Sequence, residues 1–529
     1  MNPNRTEEGT EKLDQKLFRE SVALEIIEHG PPFSYAEYEG SRRSNRILNP
    51  NVEFFSRNTL KAEVLKVHNK LKEDLKNTLH KLSSRICLTS DMWTSCQNRG
   101  YLSLTAHYVD ENWKLCSKVL NFCHVPPPDR ANNLCGTIHG LLRDWGIEKK
   151  IFTITLDNAR NMDNMQELLR SKLVQQDGLL SRGAYFHIRC SAHILNLIVQ
   201  DGLKVLGDAL EKARESVKWN STYLMLERFL LYVNAFKILP TEDPTFLMED
   251  LPTEEELHKI EYICNFLKPF YDITTLFLGV DYPTANLYFE NVCKVRSNLL
   301  KEIESPDSCL REVAKAMKEK FDKYWNEHCV VLAFAVILDP RFKLKFVKFY
   351  LKKFDDNFEN KAKSILDKLK ALFKEYESAS SSSGGNCDIQ GGGKELDQSL
   401  IEFQSYESDD STSSNKSQLE LYLEEPRVLI TMPYDVLAYW KDNYARYPEL
   451  ATMARDIMTI PITTVASEST FSMGGRVVNQ WRSSLTCKNA EALITTRNWL
   501  HGYTTKDDRS KATHVSISSL SQQASNVVD

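Results

Sequence analysis

Between Arg85 and Val125 the apolar spacing of this chain changes from a helical period to a period of two, and three extended segments follow one another with short polar breaks. Upstream, from Asn58 to Arg85, leucines and valines at 60, 64, 67, 71, 75, 79 and 82 recur every three or four residues. Lysines 61, 66, 70, 72, 76 and 81 occupy much of the remaining surface, which predicts a long helix with a basic face. That face reads either as ordinary solvated surface or as a track for phosphates. RICLTSDMW then reads as a buried strand. YLSLTAHYV alternates Leu102, Leu104, Ala106 and Tyr108 on one face, and WKLCSKVLNFCHV makes a third run. Helical spacing resumes over 133–145, IFTITLD is an apolar strand, residues 162–174 are helical, and AYFHIRC is a shorter strand before the helix AHILNLIVQDGL. The order βββαβαβα joins a meander to crossover units. It predicts a mixed five-stranded sheet in which the first and fourth strands lie side by side.

That order makes neighbours of Asp91 and Asp157, each predicted at the end of an apolar run and at the edge of the sheet. Acids in such places usually cap a strand or the following helix. Side by side they also suit a two-metal phosphoryl-transfer site, and the string VASES, with Glu468 on a helix opened near Thr463 or Thr464, offers a third carboxylate. A large insertion must fold aside for the three to meet.

The boundaries predicted from composition and periodicity are an N-terminal helical segment (1–84), the first part of the α/β domain (85–215), a helical insertion (216–376), a Ser/Gly-rich and acidic linker (377–416), a helical C-terminal region (417–503) and a polar tail (504–529). Within the insertion, RFKLKFVKFYLKKF (341–354) interleaves basic and aromatic residues. Lys343, Lys345 and Lys348 are therefore candidate DNA contacts, with lysines snorkelling over buried aromatics as the alternative. Tyr439, Trp440, Tyr444, Phe471, Trp481 and Trp499 give the C-terminal region an aromatic load suited to an interface between copies.

With 529 residues, 42% hydrophobic and 26% charged, the composition is that of a globular protein of several domains. A net charge of −5 excludes a uniformly basic nucleic-acid binder, so any such contact must come from local patches. The twelve cysteines lack the paired spacing of a zinc finger or a disulfide framework. The charged opening has no secretory h-region, and the longest apolar run, Val330 to Leu338, is half of what a bilayer requires. The expectation is an intracellular protein with no membrane partner.

The strings LTSDMWTS, TLDNA, HIRCSAHILNLIVQDGL, WNSTYLMLERF, YPTANLYF, LAFAVILDPRFKLKF, LYLEEP and IPITTVASESTFSMGGRVVNQWRSSLT occur in this order. From about residue 15 to 503 the chain thereby resembles the hAT-superfamily transposases, most nearly the plant domesticated RICESLEEPER and DAYSLEEPER group. The resemblance implies an RNase H-like domain interrupted by a helical insertion and a C-terminal dimerisation region. It implies a catalytic triad at Asp91, Asp157 and Glu468, holding Mg²⁺ if the chain is catalytic. It also implies that the Cys-x2-His of Cys190 and His193 lies beside the active site with His193 facing DNA, and that Trp219 stacks near a DNA end. The plain readings of those residues are a packed thiol beside a capping histidine, and a core tryptophan.

Two departures from the family pattern bear on function. Nothing upstream of Glu37 supplies the Cys and His ligands of a BED-type zinc finger, so no zinc is expected, and ESVK at 215–218 runs directly into WNST, where relatives carry a further segment. The function expected is a transposase-derived nuclear protein that binds DNA, homodimerises through its C-terminal region and regulates transcription without transposing efficiently. An active metal-dependent transposase and an interaction scaffold without DNA affinity are the alternatives. No small-molecule substrate is expected.

Overall fold

The computed structural model describes residues 13–127, 130–205, 222–242, 253–325, 330–383, 416–429, 434–478 and 485–503. Trp219, Trp481, most of the predicted linker and the whole 504–529 tail lie outside them. β1 (Ile86–Thr94), β2 (Gly100–Val109), β3 (Leu115–Val125), β4 (Ile151–Leu156) and β5 (His187–Arg189) form one sheet in the order β3-β2-β1-β4-β5. β2 is antiparallel to both its neighbours, while β4 is parallel to β1 and β5, so the first and fourth strands do lie side by side. Short polar turns make the meander possible. Asn98 takes a left-handed conformation between β1 and β2. The Asp110 carboxylate accepts from the Asn112 and Lys114 amides and holds the next turn around Trp113.

α1 (Gln15–His29), α2 (Glu39–Leu48) and α3 (Arg57–Lys81) precede the sheet; α4 (Ala131–Trp145), α5 (Arg160–Gln175) and α6 (Ser191–Leu203) are threaded through it. Leu88, Leu104 and Ile154 of the sheet share a core with Ile138 and Leu142 of α4 and Leu169 of α5. The other face belongs elsewhere: Cys87 and Phe152 join the core of the helical insertion. Covered on both sides, β4 is buried at every position, which is why IFTITL shows no alternation.

The insertion consists of α7 (Thr222–Glu242), α8 (Glu254–Phe277), α9 (Ala285–Glu302), α10 (Ser308–Trp325), α11 (Val330–Ile337), α12 (Lys343–Phe354) and α13 (Phe358–Ser383). A capping box between Thr253 and Glu256 starts α8, and α11, apolar all round, runs through the middle of the group. The last helix extends to Ser383, past the boundary predicted at 377, and within it Tyr376 Oη donates to Asp456 Oδ2 at 2.8 Å.

The C-terminal region divides. α14 (Gln418–Glu424), α15 (Val436–Asp442) and α16 (Pro448–Met458) bury Tyr422, Trp440 and Ile457 in the core that holds Phe334 of α11. Trp440 Nε1 donates to the Leu338 carbonyl at 3.0 Å, and Tyr422 Oη to that of Ile337 at 3.2 Å. α17 (Val465–Val477) and α18 (Cys487–His501) return to the sheet. Asn498 Oδ1 accepts from the Val119 amide at 2.8 Å and Trp499 Nε1 donates to the Val119 carbonyl at 2.7 Å, so α18 covers the edge strand β3. Leu493 of α18 packs with Ile26 of α1 and Leu60 of α3, which joins the two ends of the described chain in one small core.

Of the aromatics expected at an interface, some serve the chain's own core and Tyr444 is left 45% exposed. Trp440 and Phe471 are buried within the chain, and Trp499 stacks on His68 with centroids 5.1 Å apart. Local sequence could not separate an aromatic facing its own core from one facing a partner. Among the described residues no helix is long and apolar enough to cross a membrane.

Candidate active site

Alternation along β1 points Cys87, Thr89 and Asp91 to the face shared with the C-terminal helices. Thr155 of β4 points the same way, for its Oγ1 donates to the Pro461 carbonyl at 2.5 Å, on the link between α16 and α17. Thr89 and Thr155 are register partners, and Asp91 on β1 and Asp157 just past the end of β4 each follow two residues later, near enough for the Asp157 charge to act on Asp91. Contrary to the prediction, Asp91 does not end its strand: β1 continues to Thr94, with Asp91 opposite Ser103 of β2. Pairing with β2 carries the strand past the acid, a non-local effect. Asp157 directly follows β4, and its Oδ1 accepts from the Ala159 amide at 3.3 Å, turning the chain into α5.

Glu468 lies in the first turn of α17, where the predicted helix start near Thr464 is found. Thr464 makes no cap with its side chain; its Oγ1 lies 3.4 Å from both Glu468 Oε1 and Cys190 Sγ. Three ties set this turn on the sheet. Ser467 Oγ is 3.5 Å from Thr89 Oγ1, the Ser191 amide donates to the Ile462 carbonyl at 2.8 Å, and Trp93 stacks on Phe471 with centroids 6.1 Å apart. Gly474 permits the close approach, since a Cβ there would meet Phe122 Cζ at 2.9 Å.

Burial first, and then the charges of Asp157 and Glu468, hold the Asp91 carboxyl well above the usual range; only 2% of the residue is exposed. Burial also raises Asp157 to about 6, with the Ala159 amide opposing it and the Asp163 charge adding to it. Cys190 is pushed up to about 12 by burial and by Glu468. Three carboxyls thus share one poorly solvated place and repel one another, the electrostatic state of a site short of positive charge. Hard oxygen donors of this kind suit Mg²⁺. Among the described residues no group of three or more His, Cys, Asp or Glu side chains is arranged to hold a metal as it stands. The three carboxylates suit a divalent ion in chemistry, while their arrangement among the described residues does not make a metal site.

A buried hydrogen-bonded chain that the sequence did not reveal runs behind the acids. Ser117 Oγ is 2.8 Å from His107 Nδ1, and His107 Nε2 is 3.1 Å from Thr89 Oγ1, which meets Ser467 in turn. Burial lowers His107 to about 3, so the ring is neutral and serves as a link in the chain. Thr89, His107 and Ser117 sit on three neighbouring strands, and nothing in their separate strings could disclose the alignment.

The remaining predicted residues separate. His193, in the first turn of α6, is buried and held near pKa 4 by desolvation, so it offers little surface of its own. Lys343 turns inward. It is 3% exposed in a left-handed conformation, and its Nζ donates to the Tyr422 and Glu425 carbonyls, so it locks α14 to α12. Lys348 is 3.2 Å from Glu359, Lys345 is exposed, and Trp219 lies outside the described residues. Of the lysines on α3, Lys66 is 3.3 Å from Glu63 and Lys72 lies over the Trp145 ring, which interrupts the predicted track.

Known proteins share much of this chain. Residues 89–185, which hold most of the sheet, match the ZBED1 RNase-like domain, and 188–218 with 216–266 match its helical domain in two pieces. Residues 286–376 match the hAT-like transposase, RNase-H fold model, although α9 to α13 are helical throughout; residues 418–500 match the hAT family C-terminal dimerisation region. Zinc finger BED domain-containing protein RICESLEEPER 2 of Oryza sativa subsp. japonica is 33% identical over 92% of this chain and 75% of its own length. The chain belongs to the hAT transposase family. DAYSLEEPER of Arabidopsis thaliana is 29% identical over 92% of this hAT chain and 74% of its own length. The Zea mays protein named "Putative AC transposase" is 33% identical over 92%, and the chain spans 66% of that relative's length.

Proposed function

We propose that this hAT protein is a transposase-derived nuclear DNA-binding protein that self-associates through residues 418–500 and acts on gene regulation, with binding dominant over strand transfer. The observation that supports the reading is that sheet, insertion and the matched dimerisation region are joined in one core. Supporting the emphasis on binding, the helical-domain match breaks at 216–218, where ESVK runs directly into WNST. Its test is the affinity of the purified chain for duplex DNA across a salt series, because a phosphate-contacting protein loses affinity steeply as salt rises. Affinity independent of salt, or none, overturns it.

A second reading, metal-dependent cleavage of a phosphodiester, is favoured by the mutual repulsion of Asp91, Asp157 and Glu468. In that reading the three would hold Mg²⁺, which when bound supplies charge neutralisation at the phosphate and activation of a water or a 3′-hydroxyl. The chain's own part is to keep the acids near one another, poorly solvated and fixed through the Thr89 and Ser467 contact. Cutting of a pre-nicked DNA end with Mg²⁺ or Mn²⁺ that vanishes in Asp157→Asn would establish this second reading and reverse the proposed order of importance.

A further inference from the structure

The proposed DNA binding needs a basic surface, and the predicted lysines are buried, paired or scattered. α2 supplies one. This ten-residue helix, EGSRRSNRIL, buries none of its residues. Arg42, Arg43 and Arg46 fall within five residues, against the single acid Glu39 in the first turn. Among the described residues none of the three arginines makes an ion pair with a carboxylate within 4.0 Å. Glu37, close enough to be acted on by Arg42, is taken by Arg57, which meets it at 2.6 Å. Its pull on Arg42 is weaker than that pairing.

The arginines are braced for use. Arg42 Nε donates to the Ala36 carbonyl at 3.0 Å and its Nη2 to the Phe55 carbonyl at 3.4 Å, and its guanidinium carbon lies 5.5 Å from the Phe54 ring centroid. Arg46 lies 5.2 Å from the same ring. Two guanidinium groups collected on one aromatic ring repel each other. An arriving anion gains from that arrangement, and a planar guanidinium matches a phosphate edge to edge.

We propose that α2, through Arg42, Arg43 and Arg46, is a binding site for the phosphate backbone of DNA. This rests on the DNA-binding reading above and gives it a surface. Charge complementarity selects that occupant over a second copy of the chain. Ile47 and Leu48, 77% and 83% exposed at the end of the helix, lie beside the arginines and are the feature a protein partner would use instead.

The test compares the full chain with Arg43→Ala/Arg46→Ala and Arg43→Lys/Arg46→Lys on a short labelled DNA duplex, titrated at several salt concentrations. Both residues are exposed, so the fold should persist, and circular dichroism checks that it does. The alanine variant should bind on the order of tenfold to a hundredfold more weakly near 0.1 M salt. Its slope of log affinity against log salt should be smaller by roughly 0.9 for each phosphate that is no longer neutralised. The lysine variant should keep most of the slope. If the native chain binds and the alanine variant binds equally with the same slope, this site is refuted while the proposed function stands. If the native chain shows no salt-dependent binding, both fall. A loss of self-association in Ile47→Ser/Leu48→Ser with unchanged DNA binding in the arginine variants would assign the surface to a protein partner and overturn the site.

Discussion

Asp157 shows how a residue can weaken its own fold in the service of a site. Its carboxyl titrates near 6 in the folded protein against 3.8 in the free side chain, so folding disfavours the charged form. The wild-type protein therefore loses stability as pH rises from about 4 through about 6, and above that range the full penalty is present. Asparagine is neutral throughout, and Asp157→Asn should make the metal-free protein more stable by about 1–3 kcal/mol at about pH 7.5. The gain should shrink to about 0.5 kcal/mol near pH 4, where the native acid is protonated in the folded state and somewhat less than half protonated in the unfolded one. Denaturant unfolding at the two pH values measures it; an asparagine variant less stable than the native chain at the higher pH would remove the electrostatic account of the cluster. Mg²⁺ should raise the stability of the native chain and do less for the variant. That Asp91 and Asp157 adjoin could be read from the sequence, because periodicity fixed the strands and chain order fixed their neighbours. The burial of Lys343 could not. Its string looks the same whether the side chain faces solvent or, as here, carbonyls of residues 422 and 425 far along the chain.

Among the elements, α17 carries the most consequence for its length, for it alone brings Glu468 to two strands that precede it by hundreds of residues. Its helical form and its start near Thr464 were evident from VASESTFS, but its seat was not, since the Thr89 contact and the Trp93–Phe471 stack come from strands remote in sequence. The adjacent glycines of the helix offer a controlled test of that seat. A Cβ on Gly474 would meet Phe122 at 2.9 Å, whereas one on Gly475 would find nothing nearer than Trp93 at 3.9 Å. Gly474→Ala should cost about 1–3 kcal/mol by overpacking and weaken the Mg²⁺-dependent stabilisation, because Glu468 moves with the helix. Gly475→Ala should be neutral, or more stable by up to about 1 kcal/mol. Equal effects of the two in thermal unfolding would mean that α17 is free to shift, and that its packing on the sheet does not place Glu468.

At the scale of the whole molecule, the described C-terminal region is built into the fold twice, through α14 to α16 in the insertion core and through α18 on β3. Removing it would strip apolar surface from both, so a truncated chain cannot report on assembly. Self-association has to be tested on the intact chain, at apolar residues the fold leaves outside. Within the family's dimerisation region those include Leu429, 81% exposed, together with the partly exposed Leu421, Tyr444 and Leu500. A leucine this exposed gains little from the chain's own core, and burying it against a second copy is worth about 1.5–3 kcal/mol. Both copies contribute it in a two-fold interface, so the effect of one substitution is counted twice. Leu429→Asp should therefore raise the dimer dissociation constant by on the order of a hundredfold or more in sedimentation equilibrium, with the unfolding midpoint of the monomer unchanged. Trp440→Ala should act in the opposite sense, unfolding the chain by removing the buried indole and its bond to the Leu338 carbonyl, without a specific effect on assembly. If Leu429→Asp leaves the dissociation constant as it was, the copies meet through some other surface.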